Sequence, residues 1–469
     1  MKKNDIIELI AGKMVHQGVC LSEYEGKKVF IENCIPGERV RVQIKKIKRD
    51  FCEAEAKEII LHSPSRINPQ CQHFGLCGGC KIQYMNYEVQ LENKKEIVKD
   101  ALSRIGKLKN IEVENTIGSD RIYHYRNKME YSFSNKRWLE TGIEYSPEEK
   151  SFALGLHIPN VFDKVLHLNK CYLQSEFSND VRNIIGKFFF NNKISVHSLK
   201  NRNGLLKALA IRESYNTPDK MINLITTQYD KDLMHELGNI LNQNFPQVTT
   251  FVNSISMPHL SSALSHEEHV IFGKGYIQEV LLNKQFEIFA NTFFQTNTHQ
   301  AEKLFSIVKQ IIRNDKTELK GKKQALIDLF CGVGVIGIVL ADLFEFIYGI
   351  EISDSSIRAA KKNAEINNIT NCEFFVTNLE HGFSLERFNR DQNDVTVILD
   401  PPRAGVSEKT LIQLCQIKPR RIYYVSCNPS TQARDVARLS DQYKVGLVQP
   451  IDFFPHTYHI ENLIVLEIL

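Results

Sequence analysis

Two residues in the last tenth of the chain have side chains suited to a demanding reaction on a nucleobase. Cys427 sits in Ser426-Cys-Asn-Pro429, and Glu461 closes His456-Thr-Tyr-His-Ile-Glu461. Carbon 5 of uracil is a poor nucleophile until something adds to C6. A thiolate that attacks C6 creates an enolate, and the activated C5 can then take a methyl group from a sulfonium donor. A base must afterwards remove the C5 proton so that the thiol can be expelled. From spacing alone, Cys427 reads first as a buried strand-end cysteine and Glu461 as a solvated loop carboxylate.

A second group of residues has the spacing of a nucleoside-binding turn. An apolar run leads into Asp328-Leu-Phe-Cys-Gly-Val-Gly-Val-Ile-Gly337, where Gly332 and Gly334 allow a tight turn and close approach to a ligand. Glu351 follows Gly334 by 17 residues, at the end of the next apolar run, where a carboxylate can accept from both hydroxyls of an adenosine ribose. Gly332, Gly334 and Gly337 also satisfy G-x-G-x-x-G, so these residues leave a nicotinamide and S-adenosylmethionine both open. Asp400-Pro-Pro-Arg403 lies beyond another apolar run, with consecutive prolines stiffening the loop. Methyltransferases acting on bases use such a loop, and dehydrogenases do not. Three of the 11 cysteines, Cys71, Cys77 and Cys80, fall within ten residues. Thiolates suit zinc and iron–sulfur clusters alike, and the spacing does not choose between them.

These residues need elements to hold them. The runs 325–330, 346–351, 371–376, 395–399 and 421–425, with helical patterns between them, predict a doubly wound parallel sheet that brings the chemistry to its carboxyl rim. The tail, 445–451 and 463–469, predicts two more strands pairing antiparallel, which sets Glu461 across the cleft from Cys427 and fits a class I methyltransferase. The first sixty residues read as a small β unit, with strands expected at 14–20, 28–31, 39–44 and 53–59. The run Arg39–Arg49 has six basic residues and no acid, which predicts a basic outer strand face, open between RNA contact and ordinary solvation. A helix is expected over about 87–107, and the basic-aromatic segment Tyr123–Tyr131 reads as a half-buried strand that could touch RNA.

Composition narrows the rest. A chain of 469 residues with 42% apolar and 24% charged residues is that of a globular protein of several domains, not a disordered or collagen-like one. Basic and acidic residues number 59 and 55, so charge alone indicates no nucleic-acid partner. The longest near-apolar run, Leu329–Ala341, is 13 residues, short of the roughly 20 a membrane helix requires. No signal core or disulfide framework is apparent, and a cytoplasmic protein without membrane contact is expected.

Taken together, the motifs resemble the RNA uridine-C5 methyltransferase family, in the branch that carries an N-terminal TRAM domain and modifies 23S ribosomal RNA. The resemblance rests on Phe293-Phe-Gln-Thr-Asn297, Asp328-Leu-Phe-Cys-Gly-Val-Gly334, Asp400-Pro-Pro-Arg-Ala-Gly405, Ser426-Cys-Asn-Pro429 and His456–Glu461, in family order. It implies Cys427 as nucleophile and Glu461 as base. It implies S-adenosylmethionine contacts from Gln295, Phe330, Glu351 and Asp400 around the Gly332/Gly334 turn, with Asn378 near the adenine. It also implies a 4Fe–4S cluster on Cys71, Cys77, Cys80 and Cys171. The chain departs from the family pattern at Val335, often Asn or Thr, and at Asn378, often Asp. The resulting expectation is a multidomain chain: an OB-like β-barrel (TRAM) over 1–62, a central α+β domain with the iron–sulfur cluster over 63–285, and an α/β Rossmann-like methyltransferase domain over 286–469. The helix at about 87–107 is left open to packing on the catalytic domain. The expected partner is RNA, most of all 23S rRNA, with the target uridine flipped out of its stack and the protein a monomer. Alternatives are the same chemistry on tRNA, an iron–sulfur nicotinamide oxidoreductase, and a non-catalytic RNA-binding protein.

Overall fold

The computed structural model describes residues 1–198, 200–257, 259, 267–318, 324–383 and 395–469. Strands Ile6–Ile10, Met14–Val15, Val19–Tyr24, Lys27–Glu32, Arg39–Ile47 and Phe51–Leu61 form a six-stranded N-terminal sheet. Strands Val19–Tyr24 and Lys27–Glu32 join through Glu25 and Gly26, both at positive φ, a two-residue turn whose twist suits a hairpin. Along Arg39–Ile47 the residues alternate: Val40, Val42 and Ile44 are buried, while Arg39, Arg41 and Lys45 point outward. That outward face is not bare. Glu8 and Glu58 pair with Arg39 and Arg41, Glu55 with Lys45 at 2.7 Å, and Glu53 with Lys46 at 3.7 Å. The expected basic face is therefore largely compensated, because the acids come from neighbouring strands that a linear count of the run does not include.

A seven-stranded central sheet runs Glu267–Phe272, Thr250–Ile255, Lys220–Thr226, Leu206–Glu213, Lys128–Ser134, Ala153–Ile158 and Val161–His167 in spatial order. Helices Glu176–Asn191 and Lys231–Asn244 cover it, burying Val181, Ile185 and Phe189 from one and Met234, Leu237 and Leu241 from the other in a shared core. The hairpin Tyr276–Leu281/Lys284–Phe289 packs elsewhere. Its Ile277, Leu281, Phe286 and Ile288 lie in one core with helix Thr298–Glu318 and the C-terminal sheet. A domain cut at 285/286 would pass through the second strand of this hairpin.

The C-terminal sheet has the spatial order Cys372–Val376, Phe346–Glu351, Ala325–Leu329, Val395–Leu399, Arg421–Ser426, Glu461–Ile468, Tyr443–Ile451. The first five strands are parallel, and the last strand of the chain inserts antiparallel beside Arg421–Ser426. This is the Rossmann-like methyltransferase arrangement, with ligand-binding loops beyond the carboxyl ends of the parallel strands. Helix Tyr87–Arg104, capped by Asn86, lays Ile97, Val98, Ala101 and Leu102 into the same core as Val436, Leu439 and Val448. Among the described residues, no helix is long and apolar enough to cross a membrane.

Candidate active site

The Gly332 turn begins where strand Ala325–Leu329 ends. Phe330, Gly332 and Gly334 all have positive φ (66°, 53° and 82°), and helix Val335–Leu340 starts immediately afterwards. A Cβ on Gly334 would press on Ala360 and Phe374 at 3.1 Å, whereas a Cβ on Gly332 would meet nothing within 4 Å. One glycine thus serves packing and the other leaves an open cradle. Glu351 accepts from the N–H groups of Ile352 (2.8 Å), Ser353 (3.1 Å) and Gly332 (3.3 Å), so its carboxylate is held at the turn with lone pairs to spare. Asn378 caps a short turn, accepting from Glu380 N–H at 2.9 Å, and what its amide has left to offer a ligand is its NH2 group.

Asp400 follows strand Val395–Leu399, and burial pushes its carboxyl up to about 7. Gln295 reaches it at 3.5 Å and is steadied from behind: Asn127 donates to the Gln295 carbonyl at 2.9 Å and to Thr298 at 2.9 Å. Asp328 is fully buried under the turn, accepting from Gly337 N–H at 3.0 Å. Burial first, then the nearby Asp400 and Glu351 carboxylates, push it up to about 8. An adenosine-bearing sulfonium fits this set: an open cradle at Gly332, a carboxylate at the second strand end, and Asp400 with Gln295 beyond the fourth.

Cys427 lies just past strand Arg421–Ser426. In the antiparallel register Ser426 pairs with Asn462, so the next step outward sets Cys427 opposite Glu461. Gln432 clamps this pairing, donating to the carbonyls of Tyr424 (2.8 Å) and Asn462 (3.0 Å) and accepting from the Asn462 side chain at 2.8 Å. The Arg403 guanidinium lies near enough to the Cys427 thiol to favour its ionised form by charge. The Arg403 carbonyl accepts from Asn428 (3.0 Å) and Thr431 (3.2 Å), which ties the Asp400–Arg403 loop to the cysteine loop. Burial and the carboxylates of Glu461 and Asp400 push the Cys427 thiol up to about 11, with Arg403 opposing. Glu461 is pushed well above the carboxylate range by burial, then by Asp400, again with Arg403 opposing. A Glu461 kept neutral by burial repels a thiolate little, so desolvation is the main obstacle to ionising Cys427.

The segment entering Glu461 is held by distant residues. Lys94, on helix Tyr87–Arg104, bonds Asp452 at 2.6 Å and the Phe454 carbonyl at 3.1 Å, and Tyr87 donates to Asp452 at 2.9 Å. Gln90 accepts from His456 N–H at 2.9 Å, while the N–H groups of Lys81 and Ile82 donate to the His456 carbonyl. Burial, with nearby cations, pushes both His456 and His459 down to about 4 and leaves them neutral. Sequence reasoning singled out none of Lys94, Gln90, Asp452, Asp328 or Arg403. Arg403 and Asp328 lay inside motifs already marked, but no local signal links Lys94 to a partner 358 residues away.

Cys71, Cys77, Cys80 and Cys171 converge on one cavity, lined also by His73 and Tyr172. Gly79 N–H donates to the Cys77 sulfur at 3.3 Å and Gln83 to the Cys80 sulfur at 3.7 Å, contacts that favour thiolates. Among the described residues, no three His, Cys, Asp or Glu side chains are arranged to hold a metal ion. Four convergent thiols are a donor set that zinc and iron–sulfur clusters both take. The Tyr123–Tyr131 segment runs into strand Lys128–Ser134 with Tyr125, Met129 and Tyr131 buried. Tyr123 stays partly exposed and stacks on His456 at 4.4 Å.

Residues 223–468 match a family model described as tRNA (uracil-5-)-methyltransferase. A Bacteroides thetaiotaomicron protein, named an uncharacterized RNA methyltransferase, is 36% identical over 461 residues, covering 97% of this chain and all of that protein. A Chlorobaculum tepidum protein named in the same way is 37% identical, covering 99% and 97%. The crystal structure of Pyrococcus abyssi tRNA (uracil-54, C5)-methyltransferase in complex with S-adenosyl-L-homocysteine superposes with a TM-score of 0.74 at 26% identity, covering 98% of this chain and all of that one. With the parallel sheet, the glycine turn and the rim residues already in view, the chain belongs to the tRNA (uracil-5-)-methyltransferase family of S-adenosylmethionine-dependent RNA methyltransferases.

Proposed function

We propose that the enzyme methylates C5 of a uridine in 23S ribosomal RNA, with Cys427 as nucleophile and Glu461 as the proton-abstracting base. The observation that carries this reading is the register that sets Cys427 opposite Glu461, with the Arg403 charge nearby favouring the thiolate. S-adenosylmethionine, when bound, supplies a methyl group on a sulfonium. Gln295, Phe330, Glu351, Asn378 and Asp400 hold it around the Gly332/Gly334 turn. Arg403 stabilises the Cys427 thiolate, which adds to uracil C6 and leaves C5 as the nucleophile. Glu461 first gives up to solvent the proton that burial keeps on it, and after C5 has gained its methyl group the resulting carboxylate takes the C5 proton. The C6–S bond then breaks and Cys427 leaves as a thiolate. Burial makes Glu461 a stronger base than an exposed carboxylate would be.

Around this centre the reading assigns residues 1–62 to a TRAM domain that grips RNA, 63–275 to a central domain, and 276–469, including the hairpin packed on the C-terminal sheet, to the catalytic domain. Cys71, Cys77, Cys80 and Cys171 hold a 4Fe–4S cluster that shapes the RNA groove, since the chemistry needs no electron transfer. The protein works as a cytoplasmic monomer. A second reading, the same chemistry on tRNA, is favoured by the Pyrococcus abyssi structure, which is named for tRNA and spans this chain from end to end. Mass mapping of 5-methyluridine in ribosomal and transfer RNA, from cells with and without the protein, tests both. Loss of a 23S signal supports the first reading and loss of a tRNA signal the second. No loss in either RNA refutes the assignment.

A further inference from the structure

A second cavity, of about 370 Å³, opens in the central region beside the cysteine cavity, with Leu168 lining both, and away from the catalytic rim. It lies between the ends of strands Ala153–Ile158 and Val161–His167 and one face of helix Glu176–Asn191. Such a volume suits a small-molecule site, for which roughly 300–1,000 Å³ is usual. Its chemistry is one-sided. Arg137, Arg182 and Lys187 line it, and among the described residues Glu149 is the one acid to do so. Glu149 is already engaged, closing a capping box with Ser146.

Arg182 forms the floor and is 1% exposed. Its guanidinium bonds only neutral oxygens, those of Asn179 (2.9 Å), Asn169 (2.7 Å) and Asn183 (3.1 Å), and it lies over the Tyr131 ring. Its Nε has no partner. A buried cation met by no carboxylate projects its field into the space above it. His167 accepts from Leu154 N–H at 3.2 Å through Nδ1, so its proton sits on Nε2 and it faces a ligand as a neutral donor. Phe190, partly exposed at the wall, offers a ring edge-on to Phe152 at 5.5 Å. Gly186, at the centre of the helix face, keeps the space clear. A Cβ there would meet only Leu154, at 3.5 Å, and a longer side chain would enter the cavity.

The cavity is also joined to the active-site segment by a line of partly exposed rings. Tyr123 stacks on His456, Tyr172 lies edge-on to Tyr123 at 6.1 Å, and Lys170 lies over Tyr172 at 4.9 Å, next in sequence to Asn169 at the cavity wall. Aromatic platforms alternating with cations are how proteins track a single strand.

We propose that this cavity is a nucleotide subsite: Arg137 and Lys187 take a phosphate, Phe190 a base, and the occupant is a nucleotide of the substrate RNA other than the one being methylated. The inference rests on the RNA methyltransferase reading and extends it to a second anchoring point along the strand.

The test uses the full-length protein in two forms. Gly186→Met fills the cavity without changing charge. Arg137→Glu with Lys187→Glu reverses the rim and leaves the packed floor alone. Binding of 23S rRNA and tRNA transcripts is measured over a salt series, and binding of adenosine and uridine 5′-monophosphates by calorimetry. Thermal melting confirms folding. Each form should lose about tenfold or more in RNA affinity, and the charge reversal should lower the salt slope by about one, for the one phosphate contact removed. S-adenosylmethionine affinity should stay within about twofold of the parent. If free mononucleotide binding is lost while RNA affinity is kept, the subsite stands but serves a free nucleotide. If folded variants of both kinds keep RNA affinity, salt slope and mononucleotide binding, the proposal is wrong. Failure of the parent protein to bind S-adenosylmethionine would count against the methyltransferase reading, not against the cavity.

Discussion

Arg403→Met gives the sharpest test of how the nucleophile is made ready. Burial chiefly pushes the Cys427 thiol up to about 11, and Arg403 is the nearby cation that opposes the shift. At pH 7 the free enzyme then holds about one part in ten thousand as thiolate, by the usual titration arithmetic. The rate of adduct formation should therefore climb about tenfold per pH unit between pH 7 and 9, since the thiolate is the attacking form. Two unit charges about 4 Å apart at a protein surface interact by roughly 1–4 kcal/mol. Arg403 is exposed, and solvent screening argues for the lower end, so its removal should slow attack about tenfold across that range. Losing a cation raises a thiol further, so the variant's profile shifts to higher pH with its slope unchanged. The assay is single-turnover trapping on RNA containing 5-fluorouridine, whose C5 fluorine cannot leave as a proton does, with the adduct read on denaturing gels. Arg403→Lys should recover part of the loss. Equal rates for Arg403→Met and the parent at saturating RNA, or a flat profile between pH 7 and 9, would refute the reasoning.

Glu461→Gln should still permit attack and methyl transfer but not elimination, and should accumulate a methyl-labelled protein–RNA species on denaturing gels; normal turnover would remove Glu461 as the base. Lys94→Met leaves Asp452 buried without its cation, which should cost about 3–5 kcal/mol and lower the melting temperature. Pairing that change with Asp452→Leu should restore part of the loss, and an unchanged Tm in the single variant would contradict the burial argument. Anaerobically purified protein should be brown with about four irons per chain, and Cys77→Ser or Cys80→Ser should bleach it. Stoichiometric zinc without iron would overturn the cluster.

Legibility followed the range of the forces involved. The central parallel strands could be read because they are buried on both faces and so appear as short apolar runs: Ala325–Leu329 and Val395–Leu399 are buried throughout. The inserted last strand, Glu461–Ile468, was legible for the same reason, and with it the pairing that sets Glu461 against Cys427. Charge was less legible. The basic Arg39–Arg49 run was read in isolation, yet sheet pairing brings Glu8, Glu53, Glu55 and Glu58 against it. Strand Ile6–Ile10 escaped notice because its run of apolar residues, IIELI, shows no clean alternation, and three of the five are exposed at the sheet edge. The contacts around Asp452 were out of reach because hydrogen-bonding groups hundreds of residues apart leave no periodic trace.

Those contacts bear on what the catalytic unit is. The Rossmann-like sheet delivers Cys427 just past a central strand and Glu461 at the first residue of the inserted strand, but the loop that enters that strand needs outside support to fix the carboxylate. Here the support comes from the other end of the chain: Lys81, Ile82, Tyr87, Gln90 and Lys94 all bond residues 452–456. Lys94 and Asp452 are at most 1% exposed, so they form a buried ion pair of which neither half is tolerable alone. It adds little net stability but specifies one position for the loop. Tyr123, stacked on His456, joins the same segment to the strand that begins the central sheet. The carboxylate's position is therefore determined jointly by the central and C-terminal parts of the chain.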